Sequence, residues 1–137
     1  MGIWRHRRLA AMTLTTIIAV RLGLWREPFS RTRLRLLKGL VAGKDRDDPT
    51  ARRIFRAVRV ISPLVPGATC LTQALAAQVL LTRHELDSTI VLGVRQDASG
   101  RMQAHAWLYY DGRIALGGPP AEASGFVRLA SFGLSSQ

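Results

Sequence analysis

Residues 70–81 read CLTQALAAQVLL, and this apolar run constrains the fold more than any other segment of the chain. Three large side chains recur along one stripe at helical spacing: Leu71, Leu75 and Val79. Such a stripe, flanked by alanines that allow close packing, predicts a helix buried in a globular core. Thr69 stands just before the run and is a suitable N-cap residue. With 137 residues, the chain is long enough for one domain built around this helix, with an extension.

The first residue of this helix, Cys70, is the only cysteine of the chain and a candidate nucleophile. A thiol attacks as the thiolate, and the partial positive charge and unpaired N–H groups of a helix N-terminus favour that form. The alternative is that Cys70, beside Leu71, is simply a small buried hydrophobe. A single cysteine allows no internal disulfide and leaves no cysteine pair for zinc. We therefore expect a cytoplasmic protein that uses no metal and no other cofactor.

The segment after this helix predicts antiparallel strands. The expected strands and turns are a strand over Leu86–Val94, a turn over Gln96–Gly100, a strand over Met102–Tyr110, the turn Asp111–Gly112 and a short strand over Arg113–Leu116. Because strand side chains alternate, His105, Trp107 and Tyr109 share one face. We expect His105 to meet the start of the Cys70 helix, with Trp107 beside it. The remaining tail is expected to be loop with one short apolar stretch, Phe126–Phe132.

The positive charge of the chain is concentrated in its first half. Residues 1–66 contain 15 Lys and Arg against 4 Asp and Glu, whereas residues 67–137 contain 5 of each kind. A basic segment typically meets nucleic acid, anionic lipid or an acidic protein surface. Helical periodicity is expected over about 3–25, 31–41 and 50–61. We therefore predict a basic helical region over 1–61, suited to a partner, and a second region over 62–137.

An apolar run over residues 9–20 follows the basic start and imitates a signal peptide. The run is shorter than the roughly 20 residues that a helix needs to cross a bilayer, and Arg21 closes it. We therefore expect a helix that packs on the protein's own core or on a partner. The alternative is a peripheral membrane contact, because Trp4, Trp25 and the flanking arginines suit an interface.

His105 is the candidate general base for Cys70, and a third group is normally needed to orient such an imidazole. Asp111 is the nearest acid in sequence, but it lies six residues further along the strand, roughly 20 Å away. Asp111 is therefore expected to be a turn former rather than the third member. A backbone carbonyl, a water molecule or Glu122 remain the alternatives. Backbone N–H groups near Cys70, including that of Leu71, would hold an oxyanion, and the Gln73 side chain is a weaker candidate.

Taken together, three stretches resemble the transglutaminase-like leader peptidases of lasso-peptide biosynthesis, which are related to the microcin-processing enzyme. The stretches are Cys70–Leu81, Val91–Val94 and Ala104–Gly112, and the resemblance covers about residues 60–132. It implies an α+β fold with a papain/transglutaminase-like core over 62–137, in which Cys70 begins a helix and His105 lies on an antiparallel strand. The family's usual acid would fall near Gly117, so the chain departs from the family pattern there. Tyr109 replaces the family's acidic residue two places beyond the tryptophan.

The resemblance implies a cysteine peptidase that removes the leader from a ribosomally made lasso precursor peptide. A stand-alone chain of this length resembles the split form of the family, in which leader recognition belongs to a separate small protein. The resemblance also implies that an ATP-using cyclase acts next on the product. Residues 1–137 contain no Gly-rich phosphate loop, and no nucleic-acid partner is implied. Two alternatives remain: another acyl-transfer enzyme, such as an amidase or a transglutaminase, and a non-enzymatic basic module that binds nucleic acid or membrane.

Overall fold

The computed structural model describes residues 2–40, 49–117 and 125–133, with side chains from residue 7 onward. The described parts contain four α-helices, a short 3-10 turn and four strands. The helices are α1 (Gly2–Arg26), α2 (Phe29–Leu37), α3 (Pro49–Ile61) and α4 (Cys70–Arg83), and the strands are β1 (Thr89–Gln96), β2 (Met102–Tyr110), β3 (Arg113–Leu116) and β4 (Val127–Gly133). The 3-10 turn covers Ser62–Leu64, between α3 and α4. The fold is therefore of the α+β class that the sequence predicts.

The four strands form one antiparallel sheet in the order β3-β2-β1-β4. The prediction that the tail after Gly117 is loop was wrong for β4, which pairs along β1 from Val127 to Gly133. Its sequence alternates apolar side chains with Arg and Ser, a pattern too short and too mixed to identify an edge strand. Only the partner strand, more than thirty residues earlier in the chain, supplies the hydrogen bonds that define it.

The remaining boundaries agree with the predictions to within a few residues, with two exceptions. Helix α2 begins at Phe29, directly after Pro28, and ends at Leu37, four residues earlier than expected. Strand β1 begins at Thr89 rather than Leu86. The chain leaves α4 through Glu85, whose φ of 58° reverses its direction, and Leu86 is buried beneath that reversal. Leu86 itself forms a single isolated bridge three residues before the continuous strand begins.

One hydrophobic core joins the helices to one face of the sheet. Its fully buried side chains come from α1, α3, α4 and the strands, and they include Ile17, Val20, Ile54, Val58, Leu75, Leu80, Ile90 and Leu108. Helix α1 therefore packs on the protein's own core. The division into 1–61 and 62–137 stays a prediction, and residues on both sides of it contribute to this single core.

A buried polar cluster fastens α2 and α4 to the ends of β1 and β4. The Arg33 guanidinium donates from Nε to Gln78 Oε1 at 2.9 Å, and Gln78 Nε2 donates to the carbonyl oxygens of Ser88 at 3.3 Å and Phe132 at 2.9 Å. The same guanidinium lies 5.6 Å from the centre of the Phe132 ring. Burial lowers the pKa of Arg33 from its ordinary value, because the charged group loses its water. One amide side chain thus holds four chain segments together.

We expect Gln78→Leu to lower the free energy of unfolding by about 2–4 kcal/mol, because it leaves a buried guanidinium and two buried carbonyl groups without partners. Adding Arg33→Met should recover part of that loss by removing the stranded charge. Urea unfolding followed by circular dichroism measures both effects. Gln73→Leu, on the same helix at a half-buried position, is the control and should cost less than about 1 kcal/mol. Equal losses for the two glutamine variants would contradict the role of the cluster.

Candidate active site

Cys70 occupies the first position of α4, as the sequence predicts. The preceding residue, Thr69, has extended backbone angles, and its side chain accepts a long hydrogen bond of 3.4 Å from the Thr72 N–H. The Cys70 side chain is a free, half-buried thiol at the edge of the helical core. The thiol therefore lies where the positive end of the α4 dipole acts on it.

Two backbone N–H groups beside the thiol have no acceptor within the described part of the chain. The Gln73 N–H bonds to the Thr69 carbonyl at 3.0 Å, and the Thr72 N–H is directed at the Thr69 side chain. The N–H groups of Cys70 and Leu71 come before the first intrahelical bond, so the helix itself cannot satisfy them. Two adjacent donors next to a nucleophile are the arrangement that stabilises the oxyanion of an acyl-transfer intermediate.

His105 lies on β2 opposite Gly93 of β1, and its ring is oriented by a backbone carbonyl. His105 Nε2 is 2.7 Å from the Gly117 carbonyl oxygen. A carbonyl only accepts, so Nε2 carries the proton, and in a neutral ring Nδ1 then holds the free lone pair. A backbone carbonyl, one of the orienting groups left open by the sequence, thus holds the ring. Glu122 lies outside the described residues.

The conformation of Gly117 explains why no acid occupies this position. Its φ is 115°, which side-chain-bearing residues rarely adopt. A Cβ atom here would lie 2.8 Å from the Ala106 carbonyl oxygen and 2.7 Å from Trp107 Cδ1. The pairing of β2 with β3 shifts register between Leu108 and Tyr109, and Leu116, the residue before Gly117, is paired with Leu108. The glycine therefore supplies its carbonyl to His105 at the place where the resembling family has a carboxylate.

Aromatic side chains enclose the His105 ring. Its centroid lies 4.6 Å from that of Trp107 and 5.8 Å from that of Phe126, and the two flanking rings meet edge to face at 4.9 Å. The Arg95 guanidinium lies over Phe126, 4.6 Å from the ring centre. Together with Gln103 and Ala104, these residues line an open pocket of about 350 Å³. The predicted neighbourhood of His105 and Trp107 is present, but sequence reasoning missed Phe126, whose only signal was the apolar stretch assigned to the tail.

The Trp107 indole spans the sheet between two glycines. One end of the ring lies against Gly93 and the other against Gly117, and a Cβ at either position would approach the ring to within 3 Å. The side chain is only 3% exposed, and within the described part of the chain its Nε1–H has no hydrogen-bond partner. A buried donor without an acceptor is costly to the folded protein.

Asp111 forms the turn between β2 and β3 and does not reach His105. Its φ is 51° and that of Gly112 is 74°, the pair of positive values that a two-residue hairpin turn requires. Six residues of strand separate it from His105, roughly 20 Å. Asp111, the low-ranked candidate for the third catalytic member, therefore lies in the turn, where its sequence distance from His105 led us to expect it.

Gln78 of α4 donates to the Ser88 carbonyl, so β1 starts beside the middle of the helix. His105 lies on β2, which pairs with β1, whereas Cys70 begins α4.

The side chains of Cys70 and His105 do not meet in this structure. Ala106, Leu108 and Tyr110 face the helical core, so alternation along β2 directs His105 and Trp107 to the other face of the sheet. Cys70 and His105 form no hydrogen bond with each other. Their pairing as a catalytic dyad stays a prediction.

The N-terminal helix contacts the loop that leads to Cys70. Arg21 of α1 packs against Gly67, where a Cβ atom would lie within 3 Å of three guanidinium atoms. Gly67 has a φ of 80°, so a side chain there would be both strained and obstructed. The position of the Cys70 loop therefore depends on α1. Within the described ranges, no group of three or more His, Cys, Asp or Glu side chains is placed to hold a metal ion.

The sequence that forms this site matches a known family of proteins. The sequence profile described as the Transglutaminase-like superfamily matches residues 14–131, most of the chain. The chain belongs to the transglutaminase-like superfamily. The match begins within α1, ends within β4 and includes Cys70 and His105. Members of the transglutaminase-like superfamily are typically cysteine proteases or acyltransferases, and the domain fits such a role. No curated protein and no solved structure matched the chain.

Proposed function

We propose that this transglutaminase-like protein is a cytoplasmic cysteine peptidase that removes the leader from a ribosomally synthesised lasso precursor peptide. The observation that carries the proposal is the half-buried Cys70 thiol at the first turn of α4, next to the unpaired N–H groups of Cys70 and Leu71. Membership of the superfamily supports thiol chemistry. The resemblance of Cys70–Leu81 and Ala104–Gly112 to leader peptidases supports the choice of substrate.

The proposed reaction begins when His105 Nδ1 takes the proton of the Cys70 thiol. The thiolate attacks the scissile carbonyl, a C–S bond forms, and the two N–H groups hold the oxyanion. The intermediate collapses, the C–N bond breaks, and the imidazolium gives its proton to the leaving amine. A water molecule, deprotonated by the same ring, then attacks the thioester and restores the thiol. The Gly117 carbonyl keeps the proton on Nε2 throughout and so leaves Nδ1 for the reaction.

This reaction requires a rearrangement that brings the imidazole to the thiol when substrate binds, because His105 here faces away from the helical core at whose edge Cys70 lies. The proposed partners are the precursor peptide, a small leader-recognition protein and the lasso cyclase, with no nucleic acid involved. A groove of about 460 Å³ between α1 and α3, with Arg53 and Arg56 at its rim, is a surface in the basic region that suits an acidic peptide or protein segment.

The alternative within the same superfamily is an acyl transferase or amidase. If an amine replaces water in the second step, the product changes but the attack of the thiol in the first step does not.

We propose to incubate the protein with a precursor peptide encoded beside its gene and with the neighbouring recognition protein, and to measure product masses. Two fragments whose masses sum to the precursor plus one water indicate hydrolysis. A product carrying an added amine indicates transfer. Because Cys70 is the only thiol, protein pretreated with iodoacetamide is the matched inactive control.

The pocket beside His105 predicts a role for Trp107 in binding the peptide. We expect Trp107→Phe to raise KM about tenfold with a smaller change in kcat, because it removes part of the aromatic wall of this pocket. Steady-state cleavage kinetics measure this split. Tyr109→Phe removes a hydroxyl from the same face of β2 outside the pocket and should leave KM unchanged. A KM that Trp107→Phe does not alter would exclude the indole from substrate binding.

A further inference from the structure

An exposed apolar stripe runs along the outer side of α1. Four side chains separated by four, four and three residues form it: Leu14, Ile18, Leu22 and Trp25. This spacing places them on one helix face, over a length of roughly 16 Å. The exposure of the stripe increases along the helix, to 53% at Leu22 and 71% at Trp25. The opposite face holds Ile17 and Val20, which are completely buried in the core. Helix α1 is therefore apolar on both sides.

The charges around the stripe are all of one sign. Helix α1 contains five arginines and no Asp or Glu. The exposed Arg7 and Arg8 lie at one end of the stripe and the exposed Arg26 at the other, whereas Arg21 packs against Gly67. Glu27, directly after α1, pairs with Arg35 of α2, and no described carboxylate forms an ion pair with the α1 arginines whose side chains are described. An apolar stripe bordered only by positive charge is complementary to an interface that is apolar inside and anionic outside.

The length of α1 and the burial of its inner face determine how it could meet such an interface. Arg7–Arg26 is a 20-residue segment of mean hydropathy 1.3, long and apolar enough by composition to cross a bilayer. Crossing would pull Ile17 and Val20 out of the protein's own core, which exposes apolar surface that the fold now buries. Contact through the outer stripe leaves that core intact. The helix is therefore suited to lie along a membrane surface rather than to span the membrane.

We propose that α1 binds this protein peripherally to membranes rich in anionic lipid, with its exposed stripe in the interface and its arginines at the headgroups. This inference is independent of the proposed peptidase activity. It assigns the outer face of α1 to lipid, whereas the groove between α1 and α3 remains for a peptide or protein partner.

The test is co-sedimentation of the full-length protein with vesicles of phosphatidylcholine alone and of phosphatidylcholine mixed with phosphatidylglycerol. We expect the protein to partition onto the mixed vesicles at least tenfold more strongly, and a rise in salt to weaken that binding.

Leu22→Asp should reduce partition by roughly tenfold or more, because it places a charge in the apolar stripe. Leu129→Asp, at a leucine 65% exposed on β4, makes the same change elsewhere and should leave partition within about twofold. Circular dichroism confirms that both variants are folded.

Trp25 provides a second readout at the stripe itself. Its emission should shift to shorter wavelength on the mixed vesicles, and Trp25→Phe should remove that shift while Trp4 and Trp107 remain. Equal losses of binding for Leu22→Asp and Leu129→Asp would overturn the proposal, because net charge alone would explain them. If Leu22→Asp keeps vesicle binding but abolishes binding of the recognition protein, or changes the oligomeric state by gel filtration, the stripe is a protein interface and the proposal fails.

Discussion

Cys70→Ala is expected to abolish cleavage of the precursor peptide, with kcat falling by about five to six orders of magnitude, the loss typical when the nucleophile of a covalent mechanism is removed. His105→Ala should lower kcat by about three to four orders of magnitude or more, since the thiol loses its general base and the leaving amine its acid. The double variant should be no worse than Cys70→Ala alone, because the two groups act on one step. Product formation followed by mass spectrometry measures all three variants.

Both variants are expected to remain folded, so a loss of activity can be assigned to the missing side chain. Cys70 is half-buried at the start of α4, and His105 is partly exposed in its pocket, so neither truncation opens the main core. Cys70→Ser is the matched control for size, and it should lose nearly all activity because a serine hydroxyl is a much weaker acid than a thiol and forms no thiolate-like nucleophile. A cut that survives in Cys70→Ala at the wild-type rate would show that the reaction does not proceed through this thiol.

Gly117→Asp is expected to unfold or strongly destabilise the protein, although the resemblance places the family's acid near this position. The substitution forces a side-chain-bearing residue to a φ of 115° and brings its Cβ to 2.8 Å from the Ala106 carbonyl oxygen, which is backbone and cannot turn away. Strain and overlap together should lower the free energy of unfolding by about 3–5 kcal/mol. Any folded fraction should have lost activity, because the carbonyl that orients His105 is displaced. Urea unfolding and cleavage assays measure the two effects.

Gly100→Asp separates backbone strain from overlap. Gly100 has a φ of 86°, comparable to that of Gly117, but a Cβ there meets nothing within 4 Å. This control should lower the free energy of unfolding by only about 1 kcal/mol, the effect of the left-handed backbone conformation alone. Gly117→Ala should behave like Gly117→Asp, since the Cβ causes most of the damage. A stable and more active Gly117→Asp would contradict the geometry and indicate that the carboxylate can replace the carbonyl.

The elements that sequence predicted well are those whose evidence is local. The apolar spacing of residues 70–81 specifies α4, and Thr69 caps it, because both effects depend on residues within one or two turns. Asp111–Gly112 predicts its own hairpin, since few other pairs adopt two consecutive positive φ values. Strand β4 was missed because its identity depends on pairing with β1, and Phe126 was missed with it.

The sequence by itself determined the α+β order of elements, the location of Cys70 at a helix N-terminus and the basic character of α1. These features follow from periodicity, capping and charge, which act between neighbours in the chain. Only the tertiary structure decided that the Gly117 carbonyl orients His105 and that Phe126 encloses its ring. Both contacts join residues twelve or more positions apart, and both depend on the register of β2 against its neighbours, where the shift at Leu108 and Tyr109 changes which groups meet. Register is determined by the packing of the whole sheet and not by any single segment.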